Sequence, residues 1–132
     1  RANLKQRYSI LLKRFGPHVK PLTTVEFSRP AWHLSVVLID FEALGVRRSE
    51  VMRQLSDRGI GTQVHYIPLH TQPYYLERYG VSLLPGADSY YSRCLSLPLW
   101  PGMNLDQVDF VISELAQALS LKMETSELNN KL

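Results

Sequence analysis

The chain has 132 residues, 45% of them hydrophobic and 20% charged, with a formal net charge of +3 and a single cysteine, Cys94. That is the length of one domain and the balance of an ordinary folded protein, able to bury roughly two thirds of its unfolded surface. These figures exclude a disulfide scaffold, fit a reducing compartment such as the cytoplasm, and leave no apolar run near the ~18 residues of a membrane-crossing helix.

The positive charge is local. Residues 1–20 carry Arg1, Lys5, Arg7, Lys13, Arg14 and Lys20 and no acid, a segment of +6; the rest, with nine basic and twelve acidic side chains, is −3. Such a segment reads either as a nucleic-acid contact or as the solvated face of a helix. Within it Leu4, Tyr8, Leu11, Leu12 and Phe15 recur at spacings of three and four, the stripe of an amphipathic helix, and Gly16-Pro17 ends it.

Residues 21–30 read as a connector between Pro21 and Pro30. Trp32–Ile39 is rich in β-branched and aromatic residues, and its apolar second half suggests a strand covered on both faces. Arg47–Arg58 places Val51, Met52 and Leu55 on one helical face, with Gly59-Ile60 as the stop. Thr62–Tyr66 alternates as a strand does, with Val64 and Tyr66 on one side and Gln63 and His65 on the other, until Pro68. Tyr74, Tyr75 and Tyr79 cluster on a short helix and read as core and rim aromatics. Pro85-Gly86 reads as a turn, Ala87–Arg93 as a short helix, and Cys94–Leu99 as a strand with Pro98 at an edge or end. Asn104 is an N-cap with Gln107 at N3, Met103 and Val108 form a hydrophobic staple, and Val108, Val111, Ile112, Leu115 and Leu119 form a buried stripe. Residues 122–132 read as a frayed polar tail. Three strands cannot close a barrel. The expected fold is α+β, a small, mainly antiparallel three-stranded sheet with helices on one face.

The densest polar cluster, Gly59–Tyr75, holds two of the four His and three of the seven Tyr. His65 and His70 make a poor metal pair: they straddle a strand end and no further ligand lies nearby, so no metal is expected. There is no G-x-S-x-G for a nucleophile elbow, and Gly59-x-Gly61 follows a helix and opens a strand, the reverse of a dinucleotide site. His65 reads either as a lone general base or as a partly buried strand residue satisfied by hydrogen bonds.

The same run, GIGTQVHYIPLHTQPYY, resembles the C-terminal domain of the DegT/DnrJ/EryC1/StrS aminotransferases, pyridoxal-phosphate enzymes acting on nucleotide-linked keto sugars. Pro30-Ala31-Trp32-His33-Leu34 resembles the family's opening strand, Arg47 stands where an Arg opens the next helix, and Leu95–Met103 (LSLPLWPGM) is similar to its LSLPL-aromatic-P-x-M segment. The likeness spans residues 1–121 and is nearest to transaminases of C4 in UDP-linked 4-keto-6-deoxy-N-acetylhexosamines, as in pseudaminic-acid biosynthesis.

The resemblance implies an inter-domain helix over residues 1–20, a small domain over 21–121 and a flexible tail over 122–132. It implies pyridoxal phosphate as cofactor, glutamate and a nucleotide-linked keto sugar as substrates, a cytoplasmic homodimer, and no nucleic-acid or membrane partner. It also implies a catalytic Lys upstream of this chain, whose own Lys5, Lys13, Lys20, Lys122 and Lys131 lie in terminal segments, so the chain alone is expected to be inactive. His65, Tyr66 and His70 are implied as substrate contacts. An isolated small domain is expected to expose Leu4, Leu11 and Phe15 and to self-associate. The alternative is a free-standing α+β module that binds a small ligand without chemistry.

Overall fold

The computed structural model describes residues 1–121; the expected tail at 122–132 lies outside them. Helix α1 (Ala2–Leu12) runs into a single 3-10 turn at Lys13–Phe15. Strands β1 (Val19–Pro21) and β2 (Ser35–Ile39) follow, then α2 (Arg48–Asp57), α3 (Pro73–Tyr79), α4 (Pro85–Arg93), β3 (Cys94–Leu97) and α5 (Leu105–Ala118). The sheet is antiparallel in the order β1-β2-β3, with Val19 opposite Ile39 and Val37 opposite Leu95. The α+β expectation holds.

Alternation along the strands decides the layers. Val37, Ile39, Leu95 and Leu97 join Val19 in one core with the stripes of α1, α2 and α5. Val36 and Ser96, paired across the opposite face, lie under α4 and the segment before it. Each fully buried Leu, Ile or Val contributes about 1.5–3 kcal/mol, and Leu12, Ile39, Leu55, Leu95, Ile112 and Leu115 are all sealed from solvent. Tyr8 is also fully buried, and its hydroxyl donates to the Pro98 carbonyl at 2.9 Å, tying α1 to the end of β3. Burial pushes this phenol's pKa up, so it stays a neutral donor.

Local signals set the helix ends. Asn104 accepts from the Gln107 backbone at 2.9 Å while the Gln107 side chain accepts from the Asn104 backbone at 3.0 Å, the reciprocal box expected. At the end of α2, Gly59 sits at φ +75° and the Ile60 N–H returns to the Leu55 carbonyl at 2.9 Å, which buries Ile60.

Several expectations are corrected. The strand expected at Thr62–Tyr66 is a single bridge, Gln63 to Ser96. Its alternation offers little to bury, since Tyr66 is 75% exposed, and nothing beyond Gln63 holds a register. The third strand is β1, read above as the end of a helix and the start of a connector. Pro21 is tolerated there because β1 is an edge: bonds to β2 involve His18 and Leu22, so the side of Pro21 that lacks an N–H faces away. Pro85-Gly86 is not a turn; Pro85 opens α4 at its first position, where a missing N–H costs nothing. The tyrosines of α3 are rim rather than core: Tyr74 and Tyr79 are 60% and 68% exposed and Tyr75 is half-buried. Leu4, Leu11 and Phe15, expected at the surface, are buried because α1 packs onto α5 and β1 within this chain. The basic segment is a solvated face in part: Arg1, Lys13, Arg14 and Lys20 are exposed, and two of its members differ. Arg7 forms a two-pronged bond to Asp109 at 2.7 and 2.6 Å, and Lys5 is buried. A similar fork, Arg58 to Glu114 at 2.9 and 3.1 Å, fastens the end of α2 to α5.

Candidate functional site

The segment that carries His65 is pinned to β3 at one point. Gln63 and Ser96 exchange both backbone bonds, at 3.2 and 2.8 Å. Ser96 then aims its buried hydroxyl at the same segment, 2.7 Å from His65 Nδ1. Tyr90 on α4 donates to the His65 carbonyl at 3.4 Å, and burial pushes its phenol's pKa up. His65 is thus half-buried with one ring nitrogen engaged and its backbone braced by a second element. The Tyr66 ring meets the His65 ring edge-on, with centroids 4.9 Å apart, and is itself open to solvent. The peptide between them is cis.

His70 lies on a 3-10 turn, Leu69–Thr71. Thr71 and Gln72 side chains fold that turn back onto the Pro68 and Ile67 carbonyls, at 2.8 and 3.1 Å. His70 Nε2 lies 3.0 Å from Asp88 Oδ1, and the imidazole is only 11% exposed. His65 and Tyr66 therefore form one contact pair, whereas His70 is tied to α4 two residues before Tyr90. One ring nitrogen of each histidine is committed to the protein, leaving the other as the group able to meet a ligand.

The partners Ser96, Tyr90 and Asp88 were not foreseen. Ser96 had a signal, a hydroxyl between two apolar strand residues in an LSL run; Tyr90 and Asp88 had none, being 25 and 18 residues from the groups they hold. α4 is itself held down, because Arg48 donates to the Tyr91 and Cys94 carbonyls and stacks on the Tyr91 ring at 4.8 Å. Cys94 is buried and its thiol pKa is pushed up by desolvation, as suits an inert core thiol.

The cleft of about 400 Å³ between the end of α2 and α5 is lined by Gly59, Gly61, Pro98, Trp100 and Phe110 and includes none of the three expected contacts. Among the described residues no group of three or more His, Cys, Asp or Glu side chains is placed to hold a metal ion.

The three-stranded α+β fold that carries this His–Tyr pair is shared with aminotransferases of known structure. Residues 1–116 match the DegT/DnrJ/EryC1/StrS aminotransferase family, and the chain belongs to it. It is 41% identical over 115 residues to the spore coat polysaccharide biosynthesis protein SpsC of Bacillus subtilis, a match covering 85% of this chain and 29% of that protein. Among solved structures, the aminotransferase TlmJ of Streptoalloteichus hindustanus superposes with a TM-score of 0.76 at 25% identity, over 90% of this chain and 30% of that one. DesV of S. venezuelae, determined with a ketimine intermediate, superposes at 0.75 and 29%, over 92% and 31%. PseC of Helicobacter pylori, an aminotransferase of pseudaminic-acid biosynthesis, shares the fold at 0.79 and 23%, over 90% and 32%. The chain spans about a third of the length of each.

Proposed function

We propose that this chain is the small domain of a pyridoxal-phosphate-dependent aminotransferase that moves an amino group from glutamate to the keto carbon of a nucleotide-linked sugar. It would serve polysaccharide or glycan sugar synthesis, as a cytoplasmic homodimer. The observation that carries this reading is the 41% identity to a polysaccharide biosynthesis protein across nearly the whole domain, His65 segment included.

The cofactor needs an amine to hold it, an acid opposite its ring nitrogen and a cluster of donors for its phosphate. The described residues do not make such a site. Lys13 and Lys20 are exposed, and Lys5 is buried among apolar groups with no carboxylate within ion-pair distance among the described residues. The cofactor and the chemistry it supplies would therefore reside in a part of the enzyme other than these described residues. What these residues supply is a wall. His65, fixed at Nδ1, offers Nε2 to the sugar. The exposed Tyr66 hydroxyl is a donor for a phosphate or sugar oxygen, and His70, held by Asp88, is a second. Short, braced donors lose little freedom on binding, which suits a diphosphate whose position sets that of the keto carbon.

The test uses the enzyme at its natural length, with glutamate and UDP-4-keto-6-deoxy-N-acetylhexosamine as the first substrate and mass detection of the amino sugar. His65→Asn is expected to lower kcat/KM for the sugar by about tenfold, the loss of one good hydrogen bond, with the 132-residue chain alone giving no turnover. Absence of amination across a panel of nucleotide-linked keto sugars would overturn the assignment; unchanged kcat/KM in His65→Asn would remove His65 from the site.

A further inference from the structure

We propose that the cavity beside α1 and the Trp32 segment is a binding site for a small aromatic carboxylate, with the Lys5 ammonium as its anion contact and the Trp32 ring as its wall. The cavity has a volume of about 280 Å³ and is lined by Lys5, Leu22, Trp32, His33, Val36 and Tyr90 among others. It includes none of His65, Tyr66 and His70, and meets their site only through Tyr90, which braces the His65 carbonyl, so the inference does not rest on the aminotransferase reading.

The unusual member is Lys5. The residue is only 5% exposed, yet its Nζ reaches one protein acceptor, the Val36 carbonyl, at 3.5 Å, the outer limit of a hydrogen bond. Its other neighbour is the Trp32 ring, with the centroid 5.4 Å away. Among the described residues no Asp or Glu pairs with it. An ammonium carries three donors, and a buried cation is stable only when paired. Lys5 is therefore a sheltered cation with unused donors in a cavity that otherwise presents apolar walls. Its pKa is drawn below the ordinary lysine range by that desolvation, a penalty an arriving carboxylate would offset.

The ligand chemistry follows from the walls. Arg1 donates to the Trp32 carbonyl at 3.4 Å and adds positive charge nearby, so the site selects an anion. Trp32, Leu22, Val36 and Tyr90 leave a bare inorganic anion with apolar surface it cannot cover. Ligand sites run to roughly 300–1,000 Å³, and this one is at the small end, room for a single ring bearing one acid group. The face of the ring stacks on Trp32 and the carboxylate takes the free donors of Lys5.

Calorimetric titration of the chain with benzoate, and with the neutral isostere benzamide, tests this. Benzoate is expected to bind saturably and about tenfold more tightly than benzamide. Inorganic phosphate is expected to compete poorly. Lys5→Met keeps the stem and removes the charge, and is expected to bind the two ring compounds equally. Benzoate binding no tighter than benzamide, or competed as well by phosphate, overturns the proposal. So does benzoate affinity unchanged in Lys5→Met. Should that variant not fold, the comparison of the two ring compounds on the unaltered chain decides the matter.

Discussion

Replacing Ser96 by Ala isolates the bond that orients His65. The substitution removes one oxygen, 2.7 Å from Nδ1, and leaves the backbone bridge from Gln63 to Ser96 intact. A neutral hydrogen bond contributes about 0.5–1.5 kcal/mol net. The upper half of that range requires an orphaned group sealed from water, and His65 is only half-buried, so Nδ1 can rehydrate; about 1 kcal/mol is expected. For a domain of this size that is a fall in Tm of about 4 °C. Urea denaturation measures the first effect. The ring nitrogen shifts of His65, read by NMR, measure the second: one tautomer fixed in the parent chain, an averaged pair in Ser96→Ala, and restoration in Ser96→Thr, which returns a hydroxyl. A variant with unchanged ring shifts would show that Ser96 does not hold the imidazole, and the account of a pre-oriented Nε2 would fall with it.

Gly59→Ala is expected to cost about 1 kcal/mol in urea melts. The residue sits at φ +75°, and an added Cβ meets no atom within 4 Å, so the cost is backbone strain alone; a loss of several kcal/mol would mean that a hidden contact matters more. The Arg7 guanidinium holds the Asp109 carboxyl below the usual carboxylate range, so the pair's contribution is present above the ordinary Asp pKa near ~4 and is lost as pH falls through the lowered value. Asp109→Asn should flatten that acid limb in urea midpoints taken against pH, and an unchanged limb would refute the pairing. Lys5 shifts the other way. Its lowered pKa means that folding is penalised below it and relieved as pH rises toward the ordinary lysine value. Lys5→Met should raise the midpoint at neutral pH and abolish that alkaline gain. Tyr8→Phe removes the donor to the half-buried Pro98 carbonyl and should cost about 1 kcal/mol without altering the fold seen by circular dichroism.

What was legible in the sequence was what is written locally. The box at Asn104 and Gln107 and the Gly59-Ile60 stop use neighbours three to five residues apart, and they appear as read. The apolar stripes of α1 and α5 were equally plain, but not where α1 would turn them. A likeness to a larger enzyme suggested an outward face, and the packing of α1 on α5 joins residues far apart in sequence, as Arg7 and Asp109, 102 residues apart, do at its rim. β1 was missed because one buried valine in three residues carries no period. Thr62–Tyr66 was overread because alternation describes a strand only when something covers one of its faces. In the site, the histidine–tyrosine cluster stood out by density, while the groups that orient it came from strand and helix partners 18 to 31 residues away.

The sheet has two edges, and both are closed to further pairing. On the β1 side, the Pro21 ring stands where an incoming strand would need a donor. On the β3 side, the Gln63 bridge occupies the one accessible pair, and Pro98 follows directly on the last strand residue. A three-stranded sheet with open edges is a template for edge-to-edge aggregation. This one carries proline on one edge and its own segment on the other, which leaves few backbone groups to recruit a strand from a neighbouring molecule.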